Sequence, residues 1–522
     1  MLLAACPAVI AAVAITAQRP VIYFDGDQAK DELAVINAGH LAQLVGNNSR
    51  FAWSHPGPAW YYSLEVFYRA LGGQSWAFVA ANLLLNAIAI ALVVAVLWRG
   101  WGSLMALFCA GAVLAYMALL GQQLFRYVWP PYAEVLPMLL FFVVAAAGAA
   151  GSSPAMVGAL VAGSYAVQLH IGTVPTVAAV IGAALALRLG ARYFPSWVAS
   201  GPLKSRNRSP WARPLVWGGI LLIVLMWIPP VIDELTGHPG NLTLLWMFFT
   251  QDSPKHDYVQ ALSVLGRLLT PLEWPRVGGL QIPDVSRIAA VFVAVAIAFE
   301  VLALGLVAAA TKMRDRFAQA VGVVVVVACA AITGSIHDIN GPVYAYLLLW
   351  VTCLPVVLGL GWIGLIPRLL ARVANPIPER LRPTGTVALV ALVTALSVAN
   401  ALGFLALPPV PNAAPDSQQA WQLTSAALAG APRGPVLLDM NTPDAWVVTM
   451  GVALELVKDG RHVSVRDNWL FLFGKQFRTT GTEPIDLAYV DLPDSTTYAS
   501  QHPVAVLIGE TGSHAIFMTV AQ

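Results

Sequence analysis

Charge is what this sequence has least of. Only 11% of its 522 residues are Asp, Glu, Lys or Arg and 58% are apolar, whereas soluble globular chains carry roughly 25% charged residues. A soluble enzyme is excluded. The formal net charge is +2 and no groove-forming basic stripe is present, so nucleic acid is not an expected partner. Cysteine is also sparse: Cys6, Cys109, Cys329 and Cys353 all lie in apolar runs. They form no disulfide framework and no zinc-type pair, and read as packing residues. Missing too are a short internal repeat and the two matched halves of many transporters.

What the chain has instead is long apolar runs. A membrane-crossing helix needs about 20 mostly apolar residues. Such runs fall at 2–17, 76–98, 101–120, 132–151, 154–170, 172–190, 214–231, 287–310, 318–336, 343–366 and 385–407, eleven in all. The expected fold is a polytopic α-helical membrane protein. The first run lacks a basic n-region and a cleavage site before Arg19-Pro20, so it reads as a retained span. Its short, uncharged start points to a native N-terminus further upstream.

The few charges are unevenly placed. Residues 1–407 hold 23 bases and 16 acids, and residues 408–522 hold 6 bases and 11 acids. This divides the chain into a membrane domain, 1–407, and an acidic C-terminal domain, 408–522. With a cytoplasmic N-terminus, 14 of the 23 bases fall in short inner connections, as the positive-inside rule requires. They are Arg99, those from Arg188 to Arg213, Lys312, Arg314, Arg316, and those from Arg368 to Arg382. Loops 18–75 and 232–286 and the C-terminal domain are then extracytoplasmic. That domain reads as a small α/β unit, with helices near 417–430 and 444–458 and strands at 436–438, 463–465, 485–490, 503–508 and 515–520. It has no nucleophile motif or phosphate loop, which favours a structural or acceptor-binding cap.

Acids gather most densely just after the first span: Asp25, Asp27, Asp31 and Glu32. A carboxylate beside a bilayer can take a proton from an attacking hydroxyl, or hold a divalent cation against a phosphate. Asp31 and Glu32 serve equally well as acids at a helix N-terminus. Asp27, on the Gly26 turn, is the stronger functional candidate. Downstream, His55-Pro56-Gly57-Pro58 is a rigid turn that presents His55. An aromatic helix follows, in which Trp60, Tyr61 and Tyr62 are expected chiefly as headgroup anchors, with Tyr61 also placed to line a site.

This loop resembles the polyprenyl-phosphate-dependent glycosyltransferases of the GT-C fold, specifically the dolichyl-phosphate-mannose protein mannosyltransferase and lipid A aminoarabinose transferase group. Asp27-Gln28-Ala29 stands where that group has Asp-Glu-Ala. His55-Pro56-Gly57-Pro58-Ala59-Trp60-Tyr61-Tyr62 stands where it has Lys-Pro-Pro-Leu-Tyr-Tyr-Trp, and Leu71-Gly72 where it has Phe-Gly. Gln28 replaces the acid and His55 the lysine, and Asp25 is the one carboxylate able to substitute. The likeness is clearest over 20–75, continues as alternating spans to about 366, and does not cover the C-terminal domain. It implies inverting transfer of a sugar from a polyprenyl-phosphate donor on the outer face of the plasma membrane, to a glycan, glycolipid or protein acceptor, with Asp27 as general base. Asp25 and Asp27 are the pair offered to a Mg or Mn ion.

Other polar residues are expected on the same side. Arg126 suits a lipid phosphate or snorkels at the interface, with Glu134 as its candidate partner. His170, near a helix end, and His337, in a short turn with Asp338, are candidates for donor contacts, as is Glu32. Asp233 and Glu234 read as capping acids ahead of a metal or acceptor site. The rival readings are a transporter or flippase of a lipid-linked saccharide and a non-catalytic scaffold. Mannose or arabinofuranose from a decaprenyl-phosphate donor is an analogy with actinobacterial cell-wall enzymes, prompted by the Ala-, Gly- and Arg-rich composition.

Overall fold

The computed structural model describes residues 1–193, 212–279, 283–373, 381–408, 414–431 and 434–521. Parts of two connections expected on the inner side, 194–211 and 374–380, lie outside them. Each predicted apolar run coincides with a helix, but the runs differ in length. Among the described residues, nine helices are long and apolar enough to cross a membrane. The other two, α1 (Leu2–Gln18) and Ser153–Leu169, are apolar but have 17 residues each. The count of eleven spans is therefore not established, while the multi-pass membrane architecture is.

Burial divides the bundle. The Pro130–Ala149 segment is 89% buried and Ala212–Thr236 only 11%, so the first is the bundle's centre and the second faces lipid. Without a hydrophobic force between helices in lipid, small residues and polar ties do much of the joining. Gly163 leaves no room for a Cβ against Val177 and Phe141. Tyr116 hydrogen-bonds Thr352 at 2.7 Å, and the Asn400 amide donates to the Leu114 carbonyl at 3.0 Å.

Two helices precede the next span: α2 (Gly26–Gly39) and the aromatic α3 (Ala59–Ala70), which runs into α4 (Ser75–Trp101). Trp60 and Tyr61 are almost wholly buried. They pack inside the protein instead of anchoring in headgroups, because α3 lies against α2, α4 and the Ser153–Leu169 helix. The first loop touches three other segments on this face. The Arg50 guanidinium donates to the Asn340 carbonyl, Ser54 pairs with Asn241, and the C-terminal domain covers α2.

The C-terminal domain is a five-stranded sheet of order β2-β1-β3-β5-β4. The strands are β1 (Val436–Met440), β2 (Val463–Val465), β3 (Ile485–Asp491), β4 (Val506–Glu510) and β5 (His514–Val520). β1 runs parallel to β2 and β3, while β5 is antiparallel to β3 and β4. A parallel pair needs a long crossover, which the Ala445–Lys458 helix supplies between β1 and β2.

That same helix grips α2 at both ends. At the N-terminus, Gly26 has φ 42° and lies against Trp446 and Val447, so its left-handed backbone and missing side chain admit the crossover helix. Further along, the Lys458 ammonium is 2.7 Å from the Glu32 carboxylate, with side-chain exposures of 12% and 0%. Glu32 also accepts from Tyr68 at 2.9 Å and from Ser75 at 2.8 Å. Removing one partner of such a buried pair costs about 3–5 kcal/mol, because the other charge is left uncompensated. Lys458→Met should therefore lower the unfolding temperature markedly, and Glu32→Gln combined with Lys458→Met should recover much of the loss. Differential scanning calorimetry of the detergent-solubilised protein would read both; a single variant as stable as the parent contradicts the pairing.

Candidate active site

The site is built around one ammonium group. Lys30 is 6% exposed and has three N–H donors and no acceptor. It donates to Asp27 Oδ1 at 2.9 Å, to Asn48 Oδ1 at 2.7 Å and to Asn47 Oδ1. Asp27 and Lys30 are three residues apart on α2, hence on one helical face, while Asn47 and Asn48 arrive from the following loop. Trp129 Nε1 donates to the other Asp27 oxygen at 3.2 Å. Asp27 nonetheless keeps 42% side-chain exposure. Burial works to raise its pKa, but the Lys30 charge and the hydrogen bonds from Lys30 and Trp129 outweigh it, leaving Asp27 below the ordinary carboxylate value. The result is an oriented, ionised carboxylate open on one side.

Beyond Trp129 lie aromatic walls. Its ring centroid is 5.0 Å from Tyr346, which stacks on Tyr344 at 5.9 Å. Tyr346 is within electrostatic reach of both Asp27 and Arg50, and Arg50 is exposed.

The other predicted site residues are distributed differently. Asp25 lies at the start of α2, where burial and, after it, the nearby Asp416 charge raise its pKa. One oxygen of Asp27 is taken by the Lys30 ammonium. Among the described residues, no group of three or more His, Cys, Asp or Glu could hold a metal ion. Glu32 does not face the opening; its oxygens are taken by Tyr68, Ser75 and Lys458. Tyr61 donates to Asp31 Oδ1 at 2.7 Å and is buried with it.

His55 and His170 do come together, with ring centroids 4.7 Å apart. Burial, then the neighbouring His170 and Lys30, hold the His55 pKa well below its ordinary value, so it is neutral. Its Nδ1 accepts from the Ile171 N–H at 3.2 Å, which leaves Nε2 carrying the proton. Arg126, 4% exposed, donates to the Leu407 carbonyl at 3.1 Å, tying the last apolar helix to the first loop's side of the bundle. It does not pair with Glu134, whose two buried oxygens have no hydrogen-bond partner among the described residues. His337 belongs to a separate cluster, stacked on Tyr258 at 4.3 Å and bonded to the His256 carbonyl. Glu234 caps the Asn241–Phe249 helix through the Leu242 and Thr243 amides, and Asp233 accepts from the Asn241 amide and Lys475. The capping reading of that pair holds.

Two cavities flank this arrangement. A groove of about 1870 Å³ runs along α4 from Asn82 to Trp101, walled by the Ser153–Leu169 and Ala212–Thr236 helices. Ile88, Leu92 and Leu222 line it and are exposed, so it opens toward lipid. It does not include Asp27. The second, about 210 Å³, is lined by Lys30, Asn47, Asn48, Asp233 and residues 470–476 of the C-terminal domain.

No protein-family model and no curated protein sequence matches the chain. Solved structures do. ArnT from Cupriavidus metallidurans bound to undecaprenyl phosphate aligns over 100% of this chain and 98% of its own, with TM-score 0.55 and 14% identity. The chain has the ArnT fold. The apo structure of the same ArnT aligns equally, at TM-score 0.55 and 14% identity, over 97% of its own chain. The likeness includes the C-terminal domain, which the sequence resemblance did not reach.

Sequence reasoning missed Lys30, Asn47, Asn48 and Trp129. Lys30 carried a usable signal, a base three residues after Asp27 in a chain with few bases. Asn47 and Asn48 carried none.

Asp31 supplies a test of the buried arrangement. Burial chiefly, with Asp27 adding to it against Lys30 and the Tyr61 hydrogen bond, raises its pKa from 3.8 to about 7. An acid whose pKa is raised on folding contributes most below its unfolded pKa, and that contribution is lost as pH rises through the folded one. Unfolding temperature should therefore fall between pH 3.8 and about 7 on this account, and Asp31→Asn should flatten that segment. An unchanged pH profile in the variant would show that Asp31 is not buried as an acid.

Proposed function

We propose that the protein is a membrane glycosyltransferase that moves a sugar from a polyprenyl-phosphate donor to a cell-envelope acceptor on the outer face of the plasma membrane. The observation that carries this reading is the Asp27 carboxylate, held ionised by Lys30 and Trp129 and still open, on the first loop of an ArnT fold. One ArnT structure holds undecaprenyl phosphate, and the groove along α4 is a tract of the right character for such a chain. Mannose or arabinofuranose remains the sugar proposed by analogy.

In the proposed step, an acceptor hydroxyl attacks the sugar C1 as its proton passes to Asp27. The bond from C1 to the phosphate oxygen breaks with both electrons going to the polyprenyl phosphate, and C1 inverts. Phosphate is a good leaving group, so the protein has chiefly to orient the acceptor and stabilise charge. Lys30 has no free donor and acts by holding Asp27. His55 offers a neutral Nε2–H, and Arg50 is an exposed cation on this face, both suited to phosphate oxygens. Arg126 serves to anchor the Leu407 backbone.

Purified protein should transfer label from a polyprenyl-phosphate sugar, and Asp27→Asn should reduce the rate by about 10²–10⁴, the usual weight of a general base, with expression retained. Normal turnover in that variant would remove Asp27 from the mechanism. Lys30→Met should raise the Asp27 pKa and move the acid limb of the rate profile to higher pH. The groove's length also suits a flippase of a lipid-linked saccharide. That reading predicts movement of the donor across liposomes with no change in its mass.

A further inference from the structure

The cavity between the C-terminal domain and the first loop has features that the proposed chemistry at Asp27 does not use. Lys30 bears hydrogens only, so the groups facing it in Asn47 and Asn48 must be their carbonyl oxygens. That fixes both side-chain amides, whose NH₂ groups point away from Lys30 and have no partner among the described residues. Trp53 lines the same cavity and is 8% exposed, and its indole N–H is buried without a partner among the described residues. A buried donor left unmatched is costly, and the Trp53 indole N–H is one, on a residue that lines this space beside the two oriented amides.

The charges around that space cancel. Lys30 is matched by Asp27, and Lys475 by Asp233 at 3.2 Å. What remains is neutral amide and indole donors beside the rings of Tyr61, Phe471 and Phe473. Neutral donors with aromatic flanks suit an uncharged polyol better than a phosphate or a carboxylate. At about 210 Å³, the cavity is smaller than the roughly 300–1,000 Å³ of drug-sized ligand sites, which limits it to a single ring. It shares no lining residue with the groove along α4. Its outer wall, residues 470–476, comes from the C-terminal domain, whose Lys475 reaches Asp233 on the Ala212–Thr236 helix.

We propose that this cavity is a carbohydrate subsite that holds one neutral monosaccharide unit of a glycan acceptor, recognised by Asn47, Asn48, Trp53 and, from the C-terminal domain, Phe471 and Gln476. The acceptor role rests on the function proposed above; the binding of a neutral sugar does not. Lys30 joins the two places, since its ammonium touches both Asp27 and the two asparagines. A ring seated against these amides is therefore one ammonium group away from the carboxylate, a distance suited to the unit next to the one that reacts.

The test uses the full chain in detergent and a panel of methyl glycosides of mannose, arabinofuranose, glucose and galactose, with binding read by saturation-transfer NMR and titration. At least one glycoside should bind saturably, inorganic phosphate should not displace it, and Gln476→Ala should weaken it about fivefold, the weight of one hydrogen bond. Gln476 is exposed, so its replacement leaves the fold intact. No saturable binding, displacement by phosphate, or full affinity in Gln476→Ala would each overturn the subsite. Loss of transfer with glycoside binding retained would instead count against the proposed reaction alone.

Discussion

A single ammonium with three hydrogens organises the candidate site. Lys30 sits almost buried beside a lipid-facing bundle, where an unpaired charge is expensive, and it satisfies each donor with a different residue. One is a carboxylate on its own helix and two are amide oxygens from the next loop. The lysine thereby fixes the carboxylate's orientation and lowers its proton affinity. By the same contacts it fixes which way two asparagine side chains face. Removing it would disturb a carboxylate on one side and a cavity on the other.

That arrangement depends on α2 being held still, and the membrane helices alone do not hold it. The helix lies outside the apolar bundle, between the bundle and the C-terminal sheet domain. The crossover helix of that domain packs on Gly26 at one end and places Lys458 on Glu32 further along. The C-terminal domain is thus more than a cover. Its crossover helix packs along the helix that bears Asp27, and residues 470–476 line the second cavity.

Much of the fold was legible because membranes impose strict rules. A chain that crosses lipid must do so in apolar stretches of sufficient length, and the predicted runs fell on helices one after another. Two 17-residue helices blur the count, since composition gives hydrophobicity and not depth. The C-terminal strands were legible too, from short β-branched runs between polar turns. Within the site, Asp27 stood out as an acid on a glycine turn. Glu32 could be read either as a donor contact or as a helix N-terminal acid, and its place on the face of α2 that meets Lys458 made it a structural ion pair.

The sequence by itself determined a multi-pass helical membrane domain, an α/β domain after it, and one acid-rich loop as the place to look. Those conclusions follow from local quantities: hydrophobicity, charge and spacing. Only the tertiary structure decided which acid remained open, that Arg126 holds a backbone carbonyl, that His55 meets His170, and that Asn47 and Asn48 answer to Lys30. Each of those depends on residues far apart in the chain. Hydrogen bonding is directional and short-ranged, so its partners are fixed only when packing brings the segments within about 3 Å.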